Sequence, residues 1–543
     1  MKFGPLESSP TGRKHIFLPL GIMMVIMMSA LGLILARMIV LTVFRGEELR
    51  HRADENRILI RKIPAPRGIV FDRNGKALTR NSPEGRAYPF GLTFSHVIGY
   101  VGEVSENEVK NDQSLNQGDV TGKTGIEKQY DKVLRGTDGA ELIEVDANGN
   151  LLGILEDQLP QAGKDIHTYL DVDLQVAMVE SLGGRKGAAV AVDPTDGTVL
   201  GLASSPGYDP NVFKKIMSNE ERVESNDRAI QDLLTDTVNL PLFNRAVSGE
   251  YPPGSIFKLV TATAGLTENK INRQTLINDT GEINVGAFRF GNWYFDQYGK
   301  TEGEIGIIRA LARSNDIFFY KAGEWLGPDL LSGWARKFGL GEKTGIDLPG
   351  EADGLIPDPK WKENVTGERW FLGNTYHMAI GQGDVQLTPL QAVVMTGAVV
   401  TGQLCAPQII RLPDNQITGS TDYRTCQNIG LSSQNRNLIL EGMIGACSSG
   451  GTAFPFFPWN EGKTDYPSVA CKTGTAQHGG KQTKPHAWIT VAGPVIKEEG
   501  EYKLNLESPK RIVLVVMLEE AGEGSYEAGP VAKKILEKWF QAN

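Results

Sequence analysis

In the stretch YPPGSIFKLV, Tyr251 to Val260, a serine stands three residues ahead of a lysine at the head of an apolar run. Residues i and i+3 share a helical face, which brings the Lys258 amine within reach of the Ser255 hydroxyl. Pro252 and Pro253 suit the start of a helix and Gly254 lets the chain turn, so Ser255 falls in the first turn. The run IFKLVTATAGL is apolar nearly all round and predicts a buried helix. Burial disfavours an ammonium, and the positive end of the helix dipole pushes the same way. A neutral Lys258 beside Ser255 is a general base beside a nucleophile. Alone, the SxxK spacing carries little weight, because it arises by chance about once in a few hundred residues of ordinary composition.

Two further elements keep it company. ARSNDIFFY places Ser314 and Asp316 at or within another apolar helical run. A second hydroxyl there can relay a proton between the lysine and a leaving amine, and the competing reading is a helix N-cap. KTG occurs three times, at Lys123, Lys343 and Lys472. Lys123 lies ahead of the larger domain, and Lys343 follows a helix end in a glycine-rich connection. Only Lys472 to Gly474 sits on a β-branched strand continued by Thr475 and Ala476. An edge strand there would present Lys472 as positive charge for a substrate carboxylate, and Thr473 and Thr475 as hydroxyl donors. It would also offer a backbone N–H to an oxyanion hole.

The elements that must position these groups are legible in outline. Ile16 to Ala36 is uncharged and long enough to cross a hydrocarbon layer of about 30 Å once. No small-x-small cleavage site follows it, so it reads as a retained anchor rather than a cleaved leader. Lys2, Arg13 and Lys14 favour a cytoplasmic N-terminus, but Arg37, Arg45, Arg50 and Arg52 on the other flank oppose them. A charged connecting helix follows, then a short strand pair over Pro64 to Leu78 turning at Asn74 and Gly75. Over Gly122 to Gly139 the pattern predicts a short helix closed by Gly136. Near Gln161 to Gln175 a larger domain begins. It opens with a hairpin around Asp193 to Gly197, and its other strands come from Ser468 to Ala476, His486 to Pro494 and Arg511 to Glu520. A closing helix buries Val531, Ile535, Leu536 and Trp539. Strands at both ends with helices between them predict an α+β domain, a mainly antiparallel sheet flanked by helices.

The 543 residues allow two or three bodies with sizeable cores, and a net charge of −9, with no concentrated basic surface, argues against a nucleic-acid partner. The cysteines lack CxxC spacing and the seven histidines form no HExxH, so no metal is expected. Cys405 and Cys426 flank a strand, a loop and a return whose ends can meet. Cys447 with Cys471 would be the second bridge. Free thiols are the alternative, with Cys471 packing as a small apolar residue.

SxxK, SxD or SxN, and KTG in this order resemble the serine penicillin-recognising acyltransferases. RGIVFDRNG, HVIGYVG, GKTGIEKQYDKVLRG, SGEYPPGSIFKLV, IDLPGEADGLIP, AIGQGDVQLTPLQ and KTGTAQ narrow it. Together they look like a class B penicillin-binding protein of the elongation type, the penicillin-binding protein 2 group. The resemblance implies a cytoplasmic tail and anchor over 1–45, a shortened N-terminal pedestal or dimerisation-type domain over 46–165, and a transpeptidase domain over 166–543. It implies a single-pass protein of the cytoplasmic (inner) membrane with its catalytic domain outside, cross-linking the D-Ala-D-Ala stem peptides of peptidoglycan. On that reading Ser255 is the nucleophile, Lys258 the base, Ser314 the relay and Asp316 its polar partner. Lys472, Thr473, Gly474 and Thr475 bind the donor, with the N–H groups of Ser255 and Thr475 as oxyanion hole. No cofactor is needed, β-lactams are inhibitors, and a SEDS-family glycan polymerase is the membrane partner.

The chain departs from such relatives in three places. Lys76 to Ser95 leaves little room for the insertion that forms the head of the pedestal. Lys300 follows Gly299 where some relatives carry a metal-associated histidine, and Cys471 replaces the glycine before KTG. A β-lactamase or β-lactam sensor would share the three motifs but has little use for Arg67 to Gly139. A non-enzymatic activator of the polymerase has no need of the intact motif residues.

Overall fold

The computed structural model of the chain describes residues 17–50, 58–83, 85–146, 150–217, 224–411, 426–479 and 483–541. They form two compact units, Met1–Pro66 with Gly136–Ala162, and Arg67–Arg135 with Gly163–Asn543. The expected segment 46–165 is therefore divided between them.

The first unit holds helix α1 (Phe17–Ile39), the start of an apolar stretch, Leu20–Phe44, with no buried residues. A helix of that length, apolar but for Ser29 and for Arg37 in its last turn, is what a bilayer requires. Residues 46–50 are helical, and the rest of the expected charged helix reaches beyond the described residues. Strands β1 (Ile58–Ile63), β2 (Gly139–Val145) and β3 (Leu151–Gln158) form an antiparallel sheet in the order β1-β2-β3.

The second unit is built on a five-stranded antiparallel sheet. Helix α2 (Val172–Leu182) precedes the hairpin β4 (Gly187–Val192) and β5 (Val199–Ser205). After the long helical middle come β6 (Ala470–Ala476), β7 (His486–Gly493), β8 (Ile512–Leu518) and the closing helix, and the order is β5-β4-β8-β7-β6. Both faces are covered, and the side chains divide with the period of two that a pleated strand imposes. Ala188, Val190, Val513, Val515 and Met517 join one core, while Ala189, Ala191, Leu514, Val516 and Leu518 join the other. The first core contains α3 (Lys258–Thr267) and the helix Pro389–Thr401, and the second contains α2 and Ala528–Gln541. Burial on both faces explains why these strands read as continuous apolar runs.

Some local expectations are refined. The 122–139 helix is two pieces, Gly125–Gln129 and Asp131–Arg135, because Tyr130 leaves helical geometry (φ −112°) and the Asp131 carboxylate turns back to accept from Gly122 N–H at 2.8 Å. Gly136 follows them at φ 72°. Val70–Phe71 meets Ala77 across the Asn74-Gly75 turn as expected, and also pairs in parallel with Ile166–His167, a long-range contact that local pattern does not carry. A hairpin of Val495–Glu498 and Glu501–Leu504, turning at Glu499 and Gly500 with positive φ, was not expected.

Both disulfides are formed, Cys405–Cys426 with Cα atoms 4.1 Å apart and Cys447–Cys471 at 5.6 Å. Peptide mapping without reduction should therefore yield these two linkages and no alkylated cysteine. The Cys405→Ser, Cys426→Ser double variant should lose about 3 kcal/mol of unfolding free energy by the chain-entropy relation. Ready alkylation of the native chain would contradict the pairing.

Candidate active site

The serine turn is clamped from several sides. Gly254 (φ 54°) opens a 3₁₀ turn, Gly254–Phe257, that leads into α3. A Cβ at Gly254 would lie 2.9 Å from the Thr475 carbonyl oxygen, so only glycine lets the turn press against β6. Trp488 Nε1 donates to Pro252 O at 3.1 Å, and the Tyr251 hydroxyl donates to Glu519 Oε1 at 2.6 Å. Buried Arg245 holds the same carboxylate oxygen at 2.8 Å. Ser255 itself is half-buried and lines a cleft of about 750 Å³ together with Ser314, Asp316, Thr473 and Thr475.

The Ser-Asn-Asp segment joins two helices, α4 (Ile307–Arg313) and α5 (Asp316–Lys337). Ser314 closes the first in the left-handed region (φ 54°), which costs a non-glycine residue about 1–2 kcal/mol. Asn315 caps the second, its Oδ1 accepting from Phe318 N–H at 2.9 Å. What holds this turn is Asp279, a buried carboxylate that sequence reasoning passed over. Its Oδ2 accepts from Asn315 Nδ2 (2.8 Å), Asn292 Nδ2 (2.9 Å) and Glu302 N–H (3.0 Å), and its Oδ1 from Gly281 N–H (2.8 Å). Asn292 in turn accepts from Asp316 N–H at 3.1 Å, and Trp293 N–H reaches Asp316 Oδ2 at 2.9 Å. The Asp-Thr-Gly turn is visible in sequence; its distant partners are not.

Lys258 and Lys472 are both 0% exposed. Lys258 Nζ donates to Asp316 Oδ1 (2.6 Å), Ser314 O (2.7 Å) and Ser314 Oγ (3.3 Å). Lys472 Nζ donates to the same Ser314 Oγ and to Thr473 O, both at 2.9 Å. One hydroxyl thus stands between two amines. Burial pushes Lys258 below its ordinary range, with Asp316 opposing; burial pushes Lys472 well below, with Lys258 adding to the shift and Asp316 opposing.

Two expectations need correction. An ammonium has three donors, and all three on Lys258 are engaged, so among the described residues no hydrogen bond joins Lys258 to Ser255. Lys472 is not a cation displayed in the cleft, because its amine is buried behind Ser314. Thr473 and Thr475 do line the cleft, with Thr473 Oγ1 donating to Thr452 Oγ1 at 2.8 Å. Strand β6 is an edge strand, as expected. Gln382 Nε2 reaches Thr475 O at 3.3 Å across that open edge, and a strand residue sends its N–H and C=O to the same side. Thr475 N–H is thereby directed toward the cleft. The other KTG lysines lie elsewhere: Lys123 pairs with Glu108, and Lys343 is exposed. Among the described residues no cluster of three or more His, Cys, Asp or Glu side chains could hold a metal ion.

Over residues 187–537 the chain matches the penicillin binding protein transpeptidase domain, and over 84–168 the penicillin-binding protein dimerisation domain. The peptidoglycan D,D-transpeptidase MrdA of Salmonella typhimurium is 32% identical across 87% of this chain and 74% of its own. The crystal structure of Pseudomonas aeruginosa PBP2 in complex with WCK 5153 superposes with a TM-score of 0.74 at 32% identity, covering 89% of this chain and 97% of that one. A chain from a peptidoglycan synthase complex that coordinates polymerization and crosslinking gives 0.73 at 28% identity over 98% and 99%.

Replacing Asp279 by alanine strands four donors. The Asp279→Ala chain should lose about 3 kcal/mol or more in denaturant unfolding, given the cost of unsatisfied buried groups. A loss under about 1 kcal/mol would remove Asp279 from its central place in the turn.

Proposed function

Because the chain belongs to the penicillin-binding protein transpeptidase family, we propose that it cross-links peptidoglycan stem peptides through an acyl-enzyme on Ser255. Like the MrdA relatives it is a D,D-transpeptidase of cell-wall elongation. The observation that carries the mechanism is the Ser314 hydroxyl held between Lys258 and Lys472, with Ser255 on the wall of the same cleft.

Two buried amines face one carboxylate, so the cluster binds one proton fewer than its amines could. In the resting state that proton sits on Lys258, paired with Asp316, and Lys472 is neutral. Ser314 takes a proton from Lys258 while passing its own to Lys472, which frees the Lys258 lone pair. As Ser255 Oγ attacks the penultimate D-alanine carbonyl, Lys258 accepts the hydroxyl proton. The N–H groups of Ser255 and Thr475 receive the oxyanion, and the Thr473 and Thr475 hydroxyls hold the terminal carboxylate, with Gly474 between them. The C–N bond breaks and D-alanine leaves with a proton relayed through Ser314. An acceptor amine then attacks the ester, and its proton returns by the same path to Ser255.

Segments 1–45, 46–165 and 166–543 act as anchor, pedestal and transpeptidase domain. The anchor places the catalytic domain outside the cytoplasmic membrane, where stem peptides are. A SEDS-family glycan polymerase is the membrane partner, a reading supported by the likeness to a synthase complex that joins polymerization to crosslinking. β-Lactams act as inhibitors by acylating Ser255.

Intact mass spectrometry should show one penicillin adduct, absent in Ser255→Ala, whose turnover falls about 10⁴-fold or more by comparison with nucleophile deletions in other serine enzymes. Lys472→Ala should acylate slowly, while folded Lys123→Ala and Lys343→Ala should acylate near the native rate. Labelling of Ser255→Ala would refute the nucleophile, and an equal loss in Lys343→Ala would refute the choice of strand.

A further inference from the structure

The connection from β8 to the closing helix also lines the cleft, through Glu523 and Ser525, and one of these residues is chemically out of balance. Three carboxylates line the cleft: Asp316, Asp296 and Glu523. Asp316 has Lys258, and Asp296 has Arg289. Glu523 has no cationic partner among the described residues. One of its oxygens, Oε1, accepts from the Gln297 side-chain amide at 2.8 Å, and that neutral donor comes from across the cleft, on the helix Trp293–Tyr298.

Glu523 is also held firmly in place. The next residue, Gly524, donates its N–H to Thr475 Oγ1 at 3.3 Å. A Cβ at Gly524 would lie 2.2 Å from Trp488 O and 2.4 Å from Gly474 O, so the backbone here rests directly on the strands that carry the KTG residues. Tyr526 and Glu527 both donate their N–H groups to Glu523 O, which fixes the turn from the other side. A half-buried carboxylate fixed one residue from the Thr475 contact, satisfied by an amide and lacking a cation, is a preformed place for an ammonium.

The geometry points to Glu523 as the residue that recognises an ammonium group of the stem peptide, with Gln297 orienting its carboxylate. The inference rests on the transpeptidase reading, because transfer to an amine requires a substrate that bears one. That amine belongs either to the side chain of the donor peptide or to the acceptor, and the two have the same chemistry at the carboxylate. Glu523 is a specificity residue. Penicillin carries no such ammonium and makes no use of it.

The test uses the full chain in detergent with uncross-linked glycan strands, native or with their peptide amines acetylated. In the donor arm, exchange of terminal D-alanine for a biotin-tagged D-amino acid is compared on native and acetylated strands. In the acceptor arm, acetylated donors are mixed with native acceptors and cross-links are counted per exchange event. Glu523→Gln should lose about tenfold in one arm, the range of a charge-assisted hydrogen bond in a cleft, while Glu523→Asp retains part of the preference. A drop in native exchange, with acetylated exchange unchanged, assigns the donor amine; a drop in cross-links alone assigns the acceptor amine. Both variants should label with fluorescent penicillin at the native rate. If Glu523→Gln labels normally and neither arm changes, the assignment is wrong. If the native chain labels but neither exchanges nor cross-links, the transpeptidase reading itself fails, which is a separate result.

Discussion

The site depends on an electrostatic shortage: two fully buried lysine amines share one carboxylate, Asp316, on the wall of the cleft. Were both lysines protonated, the cluster would hold an uncompensated cation in a medium that penalises it by several kcal/mol. Burial lowers both amines, and Lys472, with no carboxylate at hydrogen-bond distance among the described residues, is lowered further. A proton held on Lys258 therefore has a second amine, Lys472, within reach through the Ser314 hydroxyl, and that path is the condition for moving it.

The fold buries both lysines while leaving Ser255 accessible. Strand β6 lies at the sheet edge, so its backbone can pair with an incoming peptide as a further strand would. Its Lys472 side chain is nevertheless enclosed, because α3 and α5 converge on that face. The strained left-handed Ser314 is stabilised by Asp279 and by the cap that Asn315 gives α5. On the far face Cys471 bonds to Cys447 at the end of the helix Ser433–Ala446. Strand β6 is thus tied down from behind by a covalent bond next to Lys472.

Much of this was legible in the sequence, and the reason is physical. Ser255 and Lys258 lie within one turn, Ser314 to Asp316 are contiguous, and Lys472 to Thr475 occupy one strand, so local pattern identifies each piece. The antiparallel sheet was readable because its strands are short apolar runs bounded by turns. What sequence could not supply was the meeting of the pieces. Lys472 lies 158 positions from Ser314 along the chain, and its burial, which makes it a partner of the Ser314 hydroxyl rather than a displayed charge, is a property of assembly. The same holds for Asp279, whose contacts with Asn292, Glu302 and Asn315 span 13, 23 and 36 positions. Glu523 resembles any loop glutamate until Gly524 is seen packed on Trp488 and Gly474.

The shared-proton account is tested most directly by the pH dependence of the second-order rate of penicillin acylation, which reports ionisations of the free enzyme. Acylation needs the cluster to have lost one proton, so the rate should climb with pH along a limb lying below the ordinary lysine range. Asp316 raises the affinity of both lysines for protons. Asp316→Asn removes that influence, so its limb should move to lower pH, whatever its maximal rate. A limb that stays in place or moves to higher pH would contradict a site governed by two buried amines competing for one carboxylate.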